Sequence, residues 1–177
     1  ERTPRLEAMK HLALFLLLAG CGPATRVETG GGTVRIPVPE KRCGENRETL
    51  FSAYSRADLE ALADCTVLIG HFQQDSVSQL RDFAPLKNVW KIEGMLNVFR
   101  SPGFETLHGL ENLEVVDGSL FVHLNTGLTS IEALANLREV TDRLVVDDND
   151  RLSQAQAEAV LADVIVGGSK RVQDNGP

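Results

Sequence analysis

Basic residues are scarce in this sequence, and motifs for catalysis are missing from it. The 177 residues include 18 Lys+Arg against 25 Asp+Glu, which gives a formal net charge of −7. Because phosphate contacts need a basic surface, this balance excludes a general nucleic-acid binder. The chain has no Gly-rich phosphate loop, no paired zinc-ligand motif and no nucleophile elbow. We therefore expect a protein that is not an enzyme and that has no cofactor and no bound metal.

One acidic cluster leaves a metal site open as an alternative. Asp147-Asp148-Asn149-Asp150 offers several oxygen atoms, which are the ligands that calcium prefers. The cluster lacks the glycine-spaced pattern of a calcium loop. The other interpretation is a solvated turn in which Asn149 serves the backbone.

The sequence also lacks a long apolar run, and its longest apolar segment near the N-terminus is short. It extends from His11 to Gly20 and ends at Cys21, which is too short for a bilayer-spanning helix of about 20 residues. Its length after a basic residue, Lys10, is typical of a signal peptide. Two acidic residues precede Met9, so residues 1–8 do not look like the native start. The alternative is an ordinary buried helix with a chance cysteine.

The end of this run, Leu18-Ala19-Gly20-Cys21, resembles the lipobox of bacterial lipoproteins. The resemblance implies that residues 1–21 are a signal segment and that the thiol of Cys21 carries a lipid, so that a lipid anchor holds the mature chain on a membrane. It also implies a location in the bacterial cell envelope. Gly22, where Asp would favour the inner membrane, indicates the outer membrane, on its surface or its periplasmic face.

The next segment, residues 22–42, is rich in glycine and proline. It contains Gly30-Gly31-Gly32 and Pro37-Val38-Pro39 and has almost no periodic apolar pattern. Such a composition predicts a tether that is flexible at the glycines and stiffer at the prolines.

The body of the chain is a repeat with a period of 24 residues. Gly70, Gly94 and Gly118 are spaced by 24, and Asp142 occupies the next step. Apolar residues recur at fixed distances from these anchors. The second position after each anchor is occupied by Phe72, Leu96, Leu120 and Leu144. The twenty-second position is occupied by Ile92, Val116, Val140 and Val164. A chain that repeats its apolar pattern in this way is expected to stack coils on one continuous core.

Within each coil, two kinds of spacing separate two kinds of structure. Alternation at Gly94-x-Leu96-x-Val98 predicts one short strand with a buried face, and spacing by three from Phe104 predicts a turning return segment. We expect one parallel sheet, with helical returns over residues 76–83, 129–135 and 153–163, of which the alanine-rich last one is a true helix. Asn125 and Asn149 are placed to satisfy the backbone of turns.

Three segments resemble a known family. Leu120-Phe121-Val122-His123-Leu124-Asn125 is similar to a leucine-rich repeat, and residues 57–70 and 110–120 look like the opening cap and the recurring core of the receptor L domain. The resemblance implies an α/β right-handed solenoid of about four to five coils over residues 43–177. One parallel sheet would form one face, with short helices or turns on the other. An N-terminal cap and a polar C-terminal tail would flank the coils. Asp142 departs from the recurrent glycine.

Two cysteines remain once Cys21 is set aside. Cys43 and Cys65 have only one possible pairing, and an exported protein meets an oxidising compartment, so a disulfide that holds the cap on the first coil is expected. Two free thiols in a metal site with His71 are the alternative.

The outward side of the strands is the candidate binding face. With the second and fourth places after each anchor buried, the first, third and fifth places face outward, and Arg143 and Asp147 are among them. The expected contact residues are Met95, Asn97, Phe99, Phe121, His123, Arg143 and Val145. Stacked strands are expected to bring Met95, Phe99, Phe121 and Val145 close together. Alternatively, this chain's own segments cover Phe99 or Phe121.

These observations predict a non-enzymatic, lipid-anchored envelope protein whose strand face recognises an unidentified protein or glycan. The alternative is a periplasm-facing lipoprotein that scaffolds other envelope proteins.

Overall fold

A computed structural model describes residues 24–29, 32–37, 39–74 and 80–177. The chain divides into two compact units, residues 1–39 and 40–177. The expected signal segment and Cys21 lie outside the described residues. Within the described residues, no helix has the length and apolar character that a membrane crossing needs.

The first unit contains an antiparallel hairpin. Strand β1, Ala24–Thr29, pairs with β2, Gly32–Pro37, and Ala24 lies opposite Pro37. The segment predicted as a flexible tether therefore includes paired backbone. Two β-branched runs separated by glycines are a usual signal for such a hairpin.

The described part of the second unit forms two six-stranded parallel sheets from alternating strands. In chain order, its strands are β3 Arg42–Cys43, β4 Leu50–Ser52, β5 Val67–Ile69, β6 His71–Gln74, β7 Lys91–Glu93, β8 Leu96–Phe99, β9 Val115–Val116, β10 Leu120–His123, β11 Glu139–Val140, β12 Leu144–Asp147, β13 Ile165–Val166 and β14 Lys170–Gln173. The even-numbered strands form the long-strand sheet, in the order β14-β12-β10-β8-β6-β4. The odd-numbered strands form the short-strand sheet, in the order β13-β11-β9-β7-β5-β3.

The α/β solenoid predicted from the repeat is confirmed, with one correction. Each coil contributes two strands rather than one, because the chain also extends for two or three residues just before each anchor. Ile92, for example, lies in β7, which pairs with β5 and β9. A strand this short shows no alternation that could be read from sequence.

The 24-residue register holds in the middle coils. Leu120 lies between Leu96 and Leu144 on adjacent strands, and Val122 lies between Val98 and Val146. The last repeat is longer than 24 residues, since Leu144 pairs with Lys170 and Val140 pairs with Val166. The repeat predicted Val164 as the residue aligned with Val140. The tail expected to be a polar cap is thus the last strand of the sheet.

Returns between the sheets are mostly turns, with two helices. They are α1, Arg56–Glu60, α2, Gln154–Leu161, and 3-10 turns at Ala84–Leu86 and Glu132–Leu134. A capping box between Ser55 and Asp58 begins α1. The helix expected over 153–163 is present, and 129–135 contains only a 3-10 turn. Of the return expected at 76–83, residues 76–79 lie outside the described part and 80–83 are not helical.

Glycine is required at the corner between the two sheets. Gly94 has φ +151, and a Cβ there would lie 2.0 Å from the carbonyl oxygen of Gly70. A Cβ on Gly118 would likewise lie 2.3 Å from the carbonyl oxygen of Gly94. The glycine anchors Gly94 and Gly118 therefore mark places where consecutive coils touch through their backbones.

An asparagine ladder, Asn125, Asn149 and Asn175, holds the coils together at the ends of the long strands. Asn125 is fully buried. Its Nδ2 donates to the carbonyl of Val98 at 3.0 Å, and its Oδ1 accepts from the backbone N–H of Ser101 at 2.9 Å. Asn149 repeats the pattern one coil later, donating to the carbonyl of Val122 at 3.0 Å. The predicted role of Asn125 and Asn149 is confirmed, and Asn175 extends it.

The core lies between the two sheets and the returns. It is mostly aliphatic, with a stack of Phe72, Phe83 and Phe104 whose ring centroids are 5.7 and 4.7 Å apart. The Cys43–Cys65 disulfide is present and joins β3 to the residues before β5.

Candidate functional site

The outward side of the long-strand sheet carries the predicted contact residues, and we call it the strand face. Leu96 and Val98 of β8 are buried, whereas Asn97 and Phe99 are half-buried, and β6 and β10 show the same alternation. This alternation is the geometry of a strand with one covered side. Met95, Phe121, His123 and Val145 are also half-buried, and Arg143 is exposed.

An aromatic cluster lies at the carboxyl end of β8 and β10. Phe99 lies opposite His123 in register, and their rings stack with centroids 4.5 Å apart. Phe121 lies 6.2 Å from His123 between ring centroids, and the guanidinium carbon of Arg100 lies 4.8 Å from the centre of the Phe99 ring. Such stacking and cation–π contacts hold side chains in place.

The expected grouping of Met95, Phe99, Phe121 and Val145 is only partly correct. Parallel register places Val145 beside Phe121, but it places His123, not Phe121, beside Phe99. Met95 precedes β8, at the opposite end of that strand from Phe99, where its N–H donates to Nδ1 of His71 at 3.1 Å. The apolar residues therefore form a band across the strand face rather than one cluster.

Asp147 occupies one of the places predicted to face outward, but it is buried. It is 2% exposed, and its Oδ2 accepts from the guanidinium of Arg171, which lies on β14. Its Oδ1 is buried and has no hydrogen-bond partner among the described residues. The last strand was not part of the predicted sheet, so the sequence pattern did not reveal the residue that covers Asp147.

His123 is surrounded by groups that shift the pKa of its imidazole in opposite directions. Burial lowers the pKa of its imidazole below the ordinary value, the carboxylates of Asp147 and Asp148 act to raise it, and the cations Arg171 and Arg100 act to lower it. Burial prevails because a half-buried ring loses part of the solvation of its charged form. The neutral ring is thus favoured on the strand face.

The acidic segment 147–150 has structural uses. The Nδ2 of Asn149 donates to the carbonyl of Asp147 at 2.9 Å and to Oδ1 of Asn175 at 2.9 Å, and Asp147 is paired with Arg171. Within the described parts of the chain, no three or more His, Cys, Asp or Glu side chains form a group that could hold a metal ion.

An open cleft of about 260 Å³ lies at the N-terminal cap and was not predicted. Its lining is mainly apolar and comes from β4, α1 and the buried ring of β6. Leu50, at its edge, is 58% exposed, and nearby Tyr54 is 53% exposed. Leu50 lies opposite His71 in register, so this side chain also belongs to the strand face at its first strand.

Taken together, the stacked coils define a repeat protein in which one side of a parallel sheet, the strand face, is directed outward. A family model described as Receptor L domain matches residues 64–163, more than half of the chain. The chain belongs to the Receptor L domain family, which is a family of non-enzymatic ligand-binding domains. No curated protein matches the chain.

Proposed function

We propose that this chain is a recognition module of the bacterial cell envelope, anchored through a lipid on Cys21, and that its strand face binds a protein or glycan ligand. The observation that carries the proposal is the half-exposed aromatic cluster of Phe99, Phe121 and His123 on the parallel sheet. Partly exposed aromatic side chains on a fixed scaffold are typical of binding surfaces.

The anchoring part of the proposal rests on sequence. A short apolar run that stops at Leu18-Ala19-Gly20-Cys21 supports lipidation of Cys21. The disulfide between Cys43 and Cys65 supports an oxidising compartment, because disulfides persist outside the reducing cytosol.

Ligand recognition is tested by a double substitution on the strand face. Phe99→Ala with Phe121→Ala removes both rings, and Val115→Ala is the matched control because Val115 is half-buried on the short-strand sheet. The wild-type protein, the double variant and the control are each screened on a glycan array and a displayed peptide library, after circular dichroism has verified that all three are folded. We expect hits of the wild-type protein to be retained by the control and lost by the double variant. Hits that survive the double substitution would exclude the strand face as the binding site.

Anchoring and orientation are tested in cells that express the native protein or Cys21→Ser. Protease is applied to intact cells, and fractions are then blotted. Surface recognition predicts that the native protein is cleaved and that Cys21→Ser leaves the membrane fraction. Protection of the native protein would favour the periplasm-facing scaffold, and a membrane-bound Cys21→Ser would contradict lipidation.

A further inference from the structure

The strand face differs in charge from the rest of the chain. The whole chain has 25 Asp+Glu against 18 Lys+Arg. Among the described positions of the outward columns, the charged side chains are Arg143 and Arg171 and a single carboxylate, Asp147. That carboxylate is buried and paired with Arg171. Arg143 therefore has no carboxylate partner among the described positions of the outward columns.

Two exposed guanidinium groups, those of Arg100 and Arg143, lie on either side of the aromatic cluster. Arg143 precedes β12, and Arg100 follows β8, where it adopts a left-handed conformation with φ 48. Neither guanidinium forms an ion pair within the described ranges of the chain, although most other described arginines of this unit do. An unpaired arginine beside an apolar surface is suited to a carboxylate, which it can bind through two hydrogen bonds.

The centre of the strand face favours apolar side chains over sugar rings. Phe121 lies between Asn97 and Val145 in register. The ring of Phe99 already contacts His123 and Arg100, so little of its plane is free for a sugar to stack on.

Neighbouring carboxylates limit where an acidic ligand can lie. Asp148 and Asp174 follow β12 and β14, and Asp142 precedes Arg143, with its Oδ2 accepting from Ser119 Oγ at 2.6 Å. The path with least repulsion therefore runs diagonally from Arg143 to Arg100. With usual strand spacings this diagonal is about 19 Å, which about six residues of extended chain can cover.

We infer that the partner of the strand face is a polypeptide with an extended acidic segment, whose carboxylates pair with Arg100 and Arg143 and whose apolar side chain packs on Phe121. The inference deepens the proposed function and rests on it. Charge complementarity and the apolar centre between the two guanidiniums both support this partner over a glycan.

A random library of 12-residue peptides displayed on phage tests this inference. The library is selected on the full chain, with counter-selection on Phe99→Ala/Phe121→Ala, and polygalacturonate is tested in parallel as an anionic glycan. We expect recovered peptides to be rich in Asp and Glu, with at least one large apolar residue. Their affinity is expected to fall about tenfold in Arg100→Gln or Arg143→Gln, and to fall as salt increases.

Arg151→Gln is the matched control, because Arg151 is exposed, follows the asparagine ladder of the same coil as Arg143, and forms no ion pair within the described residues. Its affinity for the recovered peptides is expected to be unchanged. Recovery of basic or neutral peptides, failure to recover any peptide, or polygalacturonate binding that needs both arginines but not Phe121 would overturn the inference. A ligand that no longer binds Phe99→Ala/Phe121→Ala but binds Arg100→Gln and Arg143→Gln with unchanged affinity would overturn the inference. The proposed function would then remain supported.

Discussion

Arg171, on the last strand of the long-strand sheet, pairs with Asp147, a buried carboxylate on the strand before it. Asp147 is 2% exposed, whereas the side chain of Arg171 is half exposed. The last coil is therefore attached to the rest of the sheet by a charge–charge contact as well as by backbone hydrogen bonds.

Removing one partner of this pair is expected to destabilise the protein. Arg171→Ala leaves the Asp147 carboxylate buried without compensation, so the free energy of unfolding should fall by about 2 kcal/mol. Urea denaturation measures this change, and Arg143→Ala, which removes an exposed guanidinium without an ion pair in the described residues, should change it by less than about 0.5 kcal/mol. Asp147→Asn combined with Arg171→Ala should cost less than the sum of the single substitutions. Strict additivity would mean that the pair is not coupled.

The asparagine ladder should be sensitive to truncation. Asn125→Ala leaves the N–H of Ser101 and the carbonyl of Val98 without their buried partner, and we expect a loss of about 3 kcal/mol of unfolding free energy. Asn112→Ala is the matched control, since Asn112 is exposed and its Nδ2 donates to a single carbonyl, that of Lys87. Equal losses in the two variants would show that burial of the ladder is unimportant.

The disulfide should stabilise the N-terminal cap. Cys43 and Cys65 are separated by 22 residues, and a closed loop of this size is expected to contribute about 3 kcal/mol. Cys43→Ser with Cys65→Ser should lower the unfolding free energy by that amount, and a reducing agent should have the same effect on the native protein but none on the variant. A thiol assay that finds two free thiols in the native exported protein would contradict the bridge.

His123 should make stability depend on pH. Its pKa is lower in the folded protein than in the unfolded chain, so the unfolded chain takes up the proton more readily, and stability falls as the pH drops through the ordinary imidazole value towards the folded one. Thermal unfolding between about pH 7.5 and pH 5.5 should show this fall, and His123→Gln should reduce it. An equal slope in wild type and His123→Gln would exclude His123 as the cause.

The period of the repeat made the middle of the fold predictable. Leu96, Leu120 and Leu144 are aligned in register as expected because each intervening return takes the same number of residues. The last coil departs because α2 is a true helix and two more residues separate Leu144 from Lys170. For the same reason Ala155, aligned by the repeat with core positions, is exposed, and Ala157 is buried instead.

The candidate site was predictable where it depends on strand alternation and unpredictable where it depends on contacts between coils. The outward direction of Phe99 and Phe121 follows from the period of a strand. The burial of Asp147 needs Arg171, which lies on a strand that the sequence pattern did not include. One contact between coils could have been predicted and was missed: Phe99 and His123 are 24 residues apart, so the register places them side by side, where their rings stack.

The glycine corner has a consequence for how the strand face can vary. Gly94 and Gly118 leave no room for a side chain between consecutive coils, so backbone contact sets the spacing of the coils at the corner where each long strand begins. Outward side chains that form no ion pair with described residues, such as Arg143, can then be exchanged with little effect on the scaffold, unlike Arg171, which pairs with the buried Asp147. A domain of this kind lends itself to changes of specificity at the outward positions that do not contact one another.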